Sequence, residues 1–592
     1  MSGLTNCKEI AECNVEQTLI VHQNEVTLVE NEVNANKREE IRTDRHIIYG
    51  VEEHPPIYLT VVSGFQHALI SLSGVVAVSL LVADVTCAEK YDDIKTRLLS
   101  SSLLMCGICT LLMSLIGCRL PLFQGAASDF LIPLLAMQVL DPTKCDPTSH
   151  IAIAQNKSLA MNESDPESDQ REFVLDNIRE LQGSLVAAGA FQFLIGATGL
   201  VSLLLRFIGP ITIVPTLFLS VVFLVRAAVK FVKFHWGIAF LVAAISMILF
   251  LYLGHKKTPV PMWTKKKRFH IFWFPLHQIY SILIAIVIGW IFSAILTACD
   301  VFDDDDIYTR TDSRLDVVYD AAWFQLPYPG QFGRISWSTS VFTGFLLGTV
   351  TSILDSIGDY YAIAKTCNVP PPPSHSVNRG IAIEGLCSLV AGLLGCGHAT
   401  TTNGGNIGAV GATRVASRDV FIVVGIIYVL FGIIGKISAV FLIIPYPVLG
   451  GALVLMYGMF NGVVLSNLQV INLNSSRNLA IIGIAILFGL MVPHWLETTP
   501  DSIQTGSESS DGVIKMLLAN PNLCGGVMAC FLDNTVKGSL EERGIAAWKK
   551  MIDDKGGNSL QGDSSVYDIY IPEKLKRVRF LRRLPFLPPL RD

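Results

Sequence analysis

Residues 403–413 read NGGNIGAVGAT, and residues 120–133 read LPLFQGAASDFLIP. Both are apolar, short and interrupted by small residues. A bilayer-spanning helix needs about 20 mostly apolar residues, so neither stretch crosses as one regular helix. Short glycine-broken segments at matching places in two halves of a chain point to a midplane binding site in a transporter. The alternative is that Gly and Ala only let helices pack closely. The polar residues gathered near both stretches favour a site.

The surrounding chain is built for a membrane. Of 592 residues, 51% are hydrophobic and 16% charged, against about 25% charged in a soluble protein. Apolar stretches occur near 57–83, 98–117, 121–139, 183–206, 210–226, 233–253, 273–297 and 338–360, then near 380–396, 406–418, 420–443, 447–468, 478–493 and 513–532. These fourteen stretches predict a polytopic all-α membrane protein. They exclude a soluble enzyme, a disordered protein and a disulfide scaffold. The net charge of −5 gives no sign of nucleic-acid binding. No HExxH, GxSxG or Walker loop is present, so neither enzyme chemistry nor an organic cofactor is expected. No signal peptide precedes the first span, and residues 1–56 read as a polar tail. The Cys106/Cys109 pair has CxxC spacing but lies in LLMCGICTLLM, where cysteine behaves as a small hydrophobe. Cys87, Cys145 and Cys299 sit in loops and allow one bridge, with the pairing open.

Charge orients the spans. Loop 254–272 holds Lys256, Lys257, Lys265, Lys266, Lys267 and Arg268 without an acid, which places it in the cytoplasm after six crossings. Both termini are then cytoplasmic, and the terminal KLKRVRFLRRL agrees. Loop 298–338 carries eight Asp, and loop 140–182 carries glycosylation sequons at Asn156 and Asn162; both fall outside. A third sequon, Asn474, falls inside and is expected to stay unmodified. Fourteen spans divide seven plus seven, and an odd-numbered half re-enters inverted, so an internal duplication would be an inverted repeat.

Acids at membrane depth cost about 2.5–3.5 kcal/mol or more, so each needs a partner. Asp355 and Asp359, in VTSILDSIGDYYAIA, lie four residues apart on one helix face. A cation or proton between them, Na⁺ at Asp359 above all, relieves their repulsion. Ser128 and Asp129 lie in the first broken stretch, with Gly405 and Asn406 in the second. Gln66 and His67 sit among small residues of the first span. Glu384, early in its span and near Arg379, reads as structural; Arg414 ends the tenth span and Lys436 sits in the eleventh.

These residues carry a resemblance. NIGAVGATR at 406–414 resembles the signature of nucleobase–ascorbate transporters: Gln, Glu or Pro, then Asn, any residue, Gly, four residues, Thr, then Arg, Lys or Gly. Asn406, Gly408, Thr413 and Arg414 fit it. QH at 66–67, RLPLFQ at 119–124, SIGDYYA at 356–362 and PPPPSHSVNRG at 370–380 follow the family order from about residue 50 to 535. GDYYA and the PPPP–NRG loop look most like the sodium-dependent vitamin C branch.

The resemblance implies fourteen helices in a 7+7 inverted repeat, split into core and gate domains and assembled as a homodimer. The core would be 57–206 and 338–443 and the gate 207–297 and 444–535. An acidic extracellular loop, 298–337, and tails 1–56 and 536–592 complete the chain. It also implies that Asp355 stands where the family has an eighth-span Glu and that Asp359 serves cation coupling; His67, from its place beside Gln66 among small residues, is expected on the cation side as well. Asp355, Gly405 and Asn406 would meet substrate, and their own place in the broken stretch and the first span adds Ser128, Asp129 and Gln66, although Asp129 puts an acid where the family is expected to carry an apolar residue. Gly405 replaces the Pro of the vitamin C branch and the Gln or Glu of nucleobase carriers. The implied function is plasma-membrane symport of Na⁺ with L-ascorbate. Other readings are Na⁺- or H⁺-coupled uptake of uracil, xanthine or hypoxanthine, an anion exchanger or channel, and a non-transporting paralogue.

Overall fold

A computed structural model of the chain describes residues 47–140, 145, 166–201, 209–254, 256, 258–264, 268–274, 277, 280–303, 306–466, 468, 471–499, 502–539, 541–544, 564–569 and 585–586. Apolar runs become helices because lipid leaves backbone N–H and C=O groups no partner except each other. Helix α1 is Ile57–Val85 and α2 is Asp92–Leu115, the latter opening on Asp92 and Asp93, where carboxylates favour a helix N-terminus. Strand β1 (Gln124–Ala126), a 3-10 turn (Ser128–Phe130) and the short α3 (Leu131–Leu140) follow. Then come α4 (Pro166–Thr198), α5 (Pro210–Val232) and α6 (Trp236–Met247), which runs into a π turn, Ile248–Tyr252.

A hairpin of β2 (Thr258–Thr264) and β3 (Arg268–Phe274) occupies the segment read from sequence as a plain basic loop. Helices α7 (Ser281–Ala298) and α8 (Leu315–Asp320) precede α9 (Thr339–Thr366) and α10 (Ser374–Leu394). Strand β4 (Thr400–Thr402) and the short α11 (Gly405–Thr413) come next. They are followed by α12 (Arg418–Ile433), α13 (Gly435–Leu442), α14 (Tyr446–Ser466), α15 (Ser476–Thr498), α16 (Glu508–Leu518) and α17 (Pro521–Thr535). All belong to one unit, Gly50–Asp592.

Among the described residues, eight helices are long and apolar enough to cross a membrane, and up to ten if two bent pairs count as one span each. The apolar stretches beyond those ten fall on the short α3 and α11, on α6 and on α14. The bent pairs have local causes. Helices α12 and α13 meet at 86°. A Cβ at Gly435 would lie 2.5 Å from the Ala322 carbonyl oxygen, so only glycine fits that corner. Lys436 sits at this bend and not within a straight span; its Nζ donates to the Val318 and Tyr319 carbonyls at 2.5 and 2.7 Å. Helices α16 and α17 meet at 69°. Asn520 caps α17 by accepting from the amides of Asn522 and Leu523, and Pro521 starts it.

Two helix pairs pack on glycine. In α4 against α10, a Cβ at Gly196 would stand 2.4 Å from the Ala382 amide nitrogen and one at Gly385 2.2 Å from that of Phe193. In α2 against α12, a Cβ at Gly107 would stand 2.6 Å from the Val429 nitrogen and one at Gly432 2.5 Å from that of Leu104. Helices α1, α2, α4, α9, α10 and α12 pack mainly on one another and around β1 and β4. Helices α5, α6, α7, α14, α15 and α17 form a second set. Of the three loop cysteines, Cys87 bonds to Cys145 and Cys299 is free.

Candidate substrate site at two facing half-helices

The broken stretches meet. Strands β1 and β4 pair antiparallel, Gln124 with Thr402, Gly125 with Thr401 and Ala126 with Thr400. The Asn403 amide donates to the Phe123 carbonyl at 3.0 Å and the Ala127 amide to that of Ala399, also at 3.0 Å. Each strand therefore satisfies the other's backbone where a helix is interrupted. Chain leaving the strands passes into α3 through the turn at Ser128–Phe130 and into α11 at Gly405. Asn403 tightens the start of α11 by accepting from the Gly405 amide at 2.9 Å.

Helix α9 crosses beside the starts of both half-helices. A Cβ at Gly348 would lie 3.2 Å from the Asp129 carbonyl oxygen, and one at Gly404 would lie 2.9 Å from Asp359 Oδ1. Glycine is thus what lets the start of α11 approach a carboxylate this closely. Asp359 is 6% exposed, and its Oδ2 has no hydrogen-bond partner. Asp355 is half-buried, with Asp359 and the buried Asp129 within electrostatic reach. Gly358 and Gly408 are exposed, with no atom within 4 Å of where a Cβ would be, so open space borders α9 and α11. Gly405 is exposed as well.

Helix α1 supplies the opposite wall. Ser71 donates to Asn406 Oδ1 at 3.0 Å, leaving Nδ2 of the buried Asn406 without an acceptor. One turn earlier, Gln66 and His67 are buried with Gln66 Nε2 and both imidazole nitrogens unpartnered. The His67 ring packs on Phe421, with centroids 4.8 Å apart. Buried polar atoms without partners cost about 1–3 kcal/mol each, and such atoms mark a site that a ligand or water completes. Amide donors from Asn406 and Gln66, with carboxylates from Asp355 and Asp359, suit a small polar molecule and a cation.

The signature residues divide by role. Thr413 Oγ1 donates to the Ala409 carbonyl at 2.9 Å, and Arg414 takes a left-handed backbone at φ 59°, so the last two close α11. Asn406 and Gly408 face the site. The Ser128 side chain, Asn156 and Asn162 lie outside the described residues. Among the described residues no group of three or more His, Cys, Asp or Glu is placed to hold a metal.

Sequence reasoning underread Glu384. It does not pair with Arg379; it accepts from Ser356 at 2.9 Å, Tyr360 at 2.8 Å and Thr402 at 2.7 Å. Ser352 and Ser356 also bond Thr401 at 2.9 Å, and Gln124 Nε2 donates to Thr402 at 2.8 Å. This network clamps β4 to α9, α10 and β1. Its signal was the run Ser352, Ser356, Tyr360 at helical spacing, one residue out of phase with the acids. Arg379 instead donates to the carbonyls of Gly117 and Tyr567 at 2.7 Å each.

Similarity to known proteins places the chain in a family. A family model described as a permease family (Xan_ur_permease) matches residues 59–498. Human solute carrier family 23 member 2 is 39% identical over 547 residues, covering 92% of this chain and 82% of that protein. Rat solute carrier family 23 member 1 is 36% identical over 550 residues, covering 92% and 89%. Nucleobase-ascorbate transporter 2 of Arabidopsis thaliana is 27% identical over 552 residues, covering 91% and 96%. The chain is a multi-pass membrane transporter of the nucleobase–ascorbate transporter family.

Proposed function

We propose that this protein is a plasma-membrane symporter that draws L-ascorbate inward with Na⁺. The observation that carries the reading is the meeting of the α11 start with α9 and α1, where Asp359, Asn406 and Gln66 all keep unpartnered atoms. Na⁺ held at Asp359 neutralises the carboxylate beside the half-helix and so makes room for an anion, which gives positive linkage between the two. The enediolate of ascorbate accepts from Asn406 Nδ2, Gln66 Nε2 and the amides at the start of α11. Asp355 accepts from substrate hydroxyls, with Gly405 and Gly408 leaving the wall free of side chains. His67 and Asp129 line the cation side and the facing half-site. The 36–39% identity with solute carrier family 23 members 1 and 2 supports this branch.

The same reading gives fourteen spans as a 7+7 inverted repeat, both termini cytoplasmic, glycans at Asn156 and Asn162, and a homodimer. Exchanging halves maps spans 2 and 11 onto 9 and 4, and the two glycine-packed pairs are α2 with α12 and α4 with α10. The α1–α12 and α9–α4 contacts are exchanged by the same operation. The two helix sets support a core of spans 1–4 and 8–11 sliding against a gate of spans 5–7 and 12–14. The Cys87–Cys145 disulfide supports an outward placement of both loops, since such bonds persist in oxidising surroundings.

Uptake of labelled ascorbate, uracil and xanthine in expressing cells, with Na⁺ or choline outside, tests the proposal. Ascorbate uptake that needs Na⁺ is expected. Uptake of uracil or xanthine instead would assign the site to nucleobases.

A further inference from the structure

A cavity of about 440 Å³ lies away from the half-helices, between the ends of α1, α2 and α3 and those of α5 and α14. Its wall includes Asp84, Lys95, Gln138, Lys230, Lys233 and Tyr446. Lys230 of α5 donates to both Asp84 of α1 and Gln138 of α3, and Gln138 Nε2 reaches Asp84 Oδ1 at 3.4 Å. The Cys87–Cys145 disulfide begins three residues after Asp84 and ties the chain following α1 to that following α3. Asp84 and Gln138 are thus held together, while Lys230 comes from the other helix set.

Four cations, Lys95, Lys230, Lys233 and Arg314, stand against three carboxylates, Asp84 and Glu89 of the cavity wall and Asp92 beside it, which leaves one positive charge in excess. Lys95 pairs with Asp92, and Lys230 with Asp84. Lys233 is exposed, its ammonium 5.1 Å over the Phe234 ring, with no carboxylate partner among the described residues. Behind Tyr446 sits Arg314, 7% exposed, its guanidinium 5.1 Å from the Tyr446 ring centroid. Arg314 Nε and Nη2 have no acceptor. A buried guanidinium short of acceptors, beside a cavity edged by two further cations, creates a positive field that attracts anions.

We propose that this cavity is a capture site for a small organic anion, held by Lys230 and Lys233, where the anion competes with Asp84 for Lys230. Binding releases the Asp84–Lys230–Gln138 contact and so loosens one helix set from the other. The outward placement of the cavity rests on the topology proposed above; the binding itself does not.

The test uses full-length protein in lipid nanodiscs, its thermal midpoint followed while sodium gluconate is titrated against a myo-inositol control at constant ionic strength. Gluconate raises the midpoint and inositol does not. Lys233→Gln weakens the apparent gluconate affinity about three- to tenfold, the range for one hydrogen bond at an exposed position. Asp84→Asn strengthens it, because the competing carboxylate is gone; a merely structural ion pair would not respond in that direction. Asn406→Ala leaves the shift unchanged, which separates this cavity from the half-helix site. Absence of a gluconate shift, or one equal in the parent, Lys233→Gln and Asp84→Asn proteins, overturns the proposal. Failure of the transport reading shows differently: no ascorbate uptake, with the gluconate response intact.

Discussion

At the scale of single residues, a few atoms decide whether the site exists. A methyl group at Gly404 would stand 2.9 Å from Asp359 Oδ1, inside contact distance. Gly404→Ala is therefore expected to displace the carboxylate and cut ascorbate uptake at least about tenfold while the protein still reaches the surface. Asp359→Asn removes the charge with little change of shape, and its expected result is loss of the Na⁺ dependence at near-normal surface expression. Both are read by uptake alongside surface biotinylation. Glu384→Ala should behave otherwise. It strands three hydroxyls in a buried network, at about 1–3 kcal/mol apiece, so surface expression itself should collapse. At position 405 the amide donates to Asn403. Gly405→Pro removes that bond as well as fixing φ, so it is expected to weaken transport and not restore a better vitamin C site.

Elements were legible where one physical signal dominated. Short length and small-residue interruptions in 120–133 and 403–413 located both half-helices, because stretches this short do not cross a bilayer as one regular helix. What they could not reveal is that β1 and β4 pair with each other, since register between segments this far apart is set by tertiary contacts. Asp355 and Asp359 were legible as intramembrane acids, yet their different exposure was not. Exposure depends on which elements cover α9, and that is set by tertiary contacts between distant segments. The 258–274 hairpin was missed because lysine count masks alternation in so short a run. The glycine seams give a prediction at this scale. Gly385→Val drives a branched side chain into the Phe193 backbone, and overpacking of this kind costs roughly 1–3 kcal/mol or more. A lower melting temperature of purified protein is the measurement, with Gly458→Ala, which meets nothing within 4 Å, as the neutral control.

For the whole molecule, termini and loops close contacts that the helices leave open. Arg379 is buried, and Tyr567 and Phe586 supply carbonyls to it while Val566 supplies one to Arg418. Truncation before Ser564 should leave both arginines short of acceptors and lower the melting temperature, whereas truncation after 586 should not. Glycosylation checks the orientation: a shift on deglycosylation is expected to vanish in Asn156→Gln plus Asn162→Gln and to be indifferent to Asn474→Gln.

The pairing of β1 with β4 also sets a timetable for biosynthesis. The bond from Gln124 to Thr402 joins residues 278 apart. At about 5–20 residues per second, a ribosome needs roughly 15–55 seconds to supply the second strand after the first. Throughout that interval β1 lacks the strand that satisfies its backbone groups in the folded protein. The nascent first half is thus expected to depend on the insertion machinery until β4 arrives. Substitutions that slow translation or insertion between the two strands should lengthen that dependence and expose the chain to degradation, even where they touch nothing in the finished transporter.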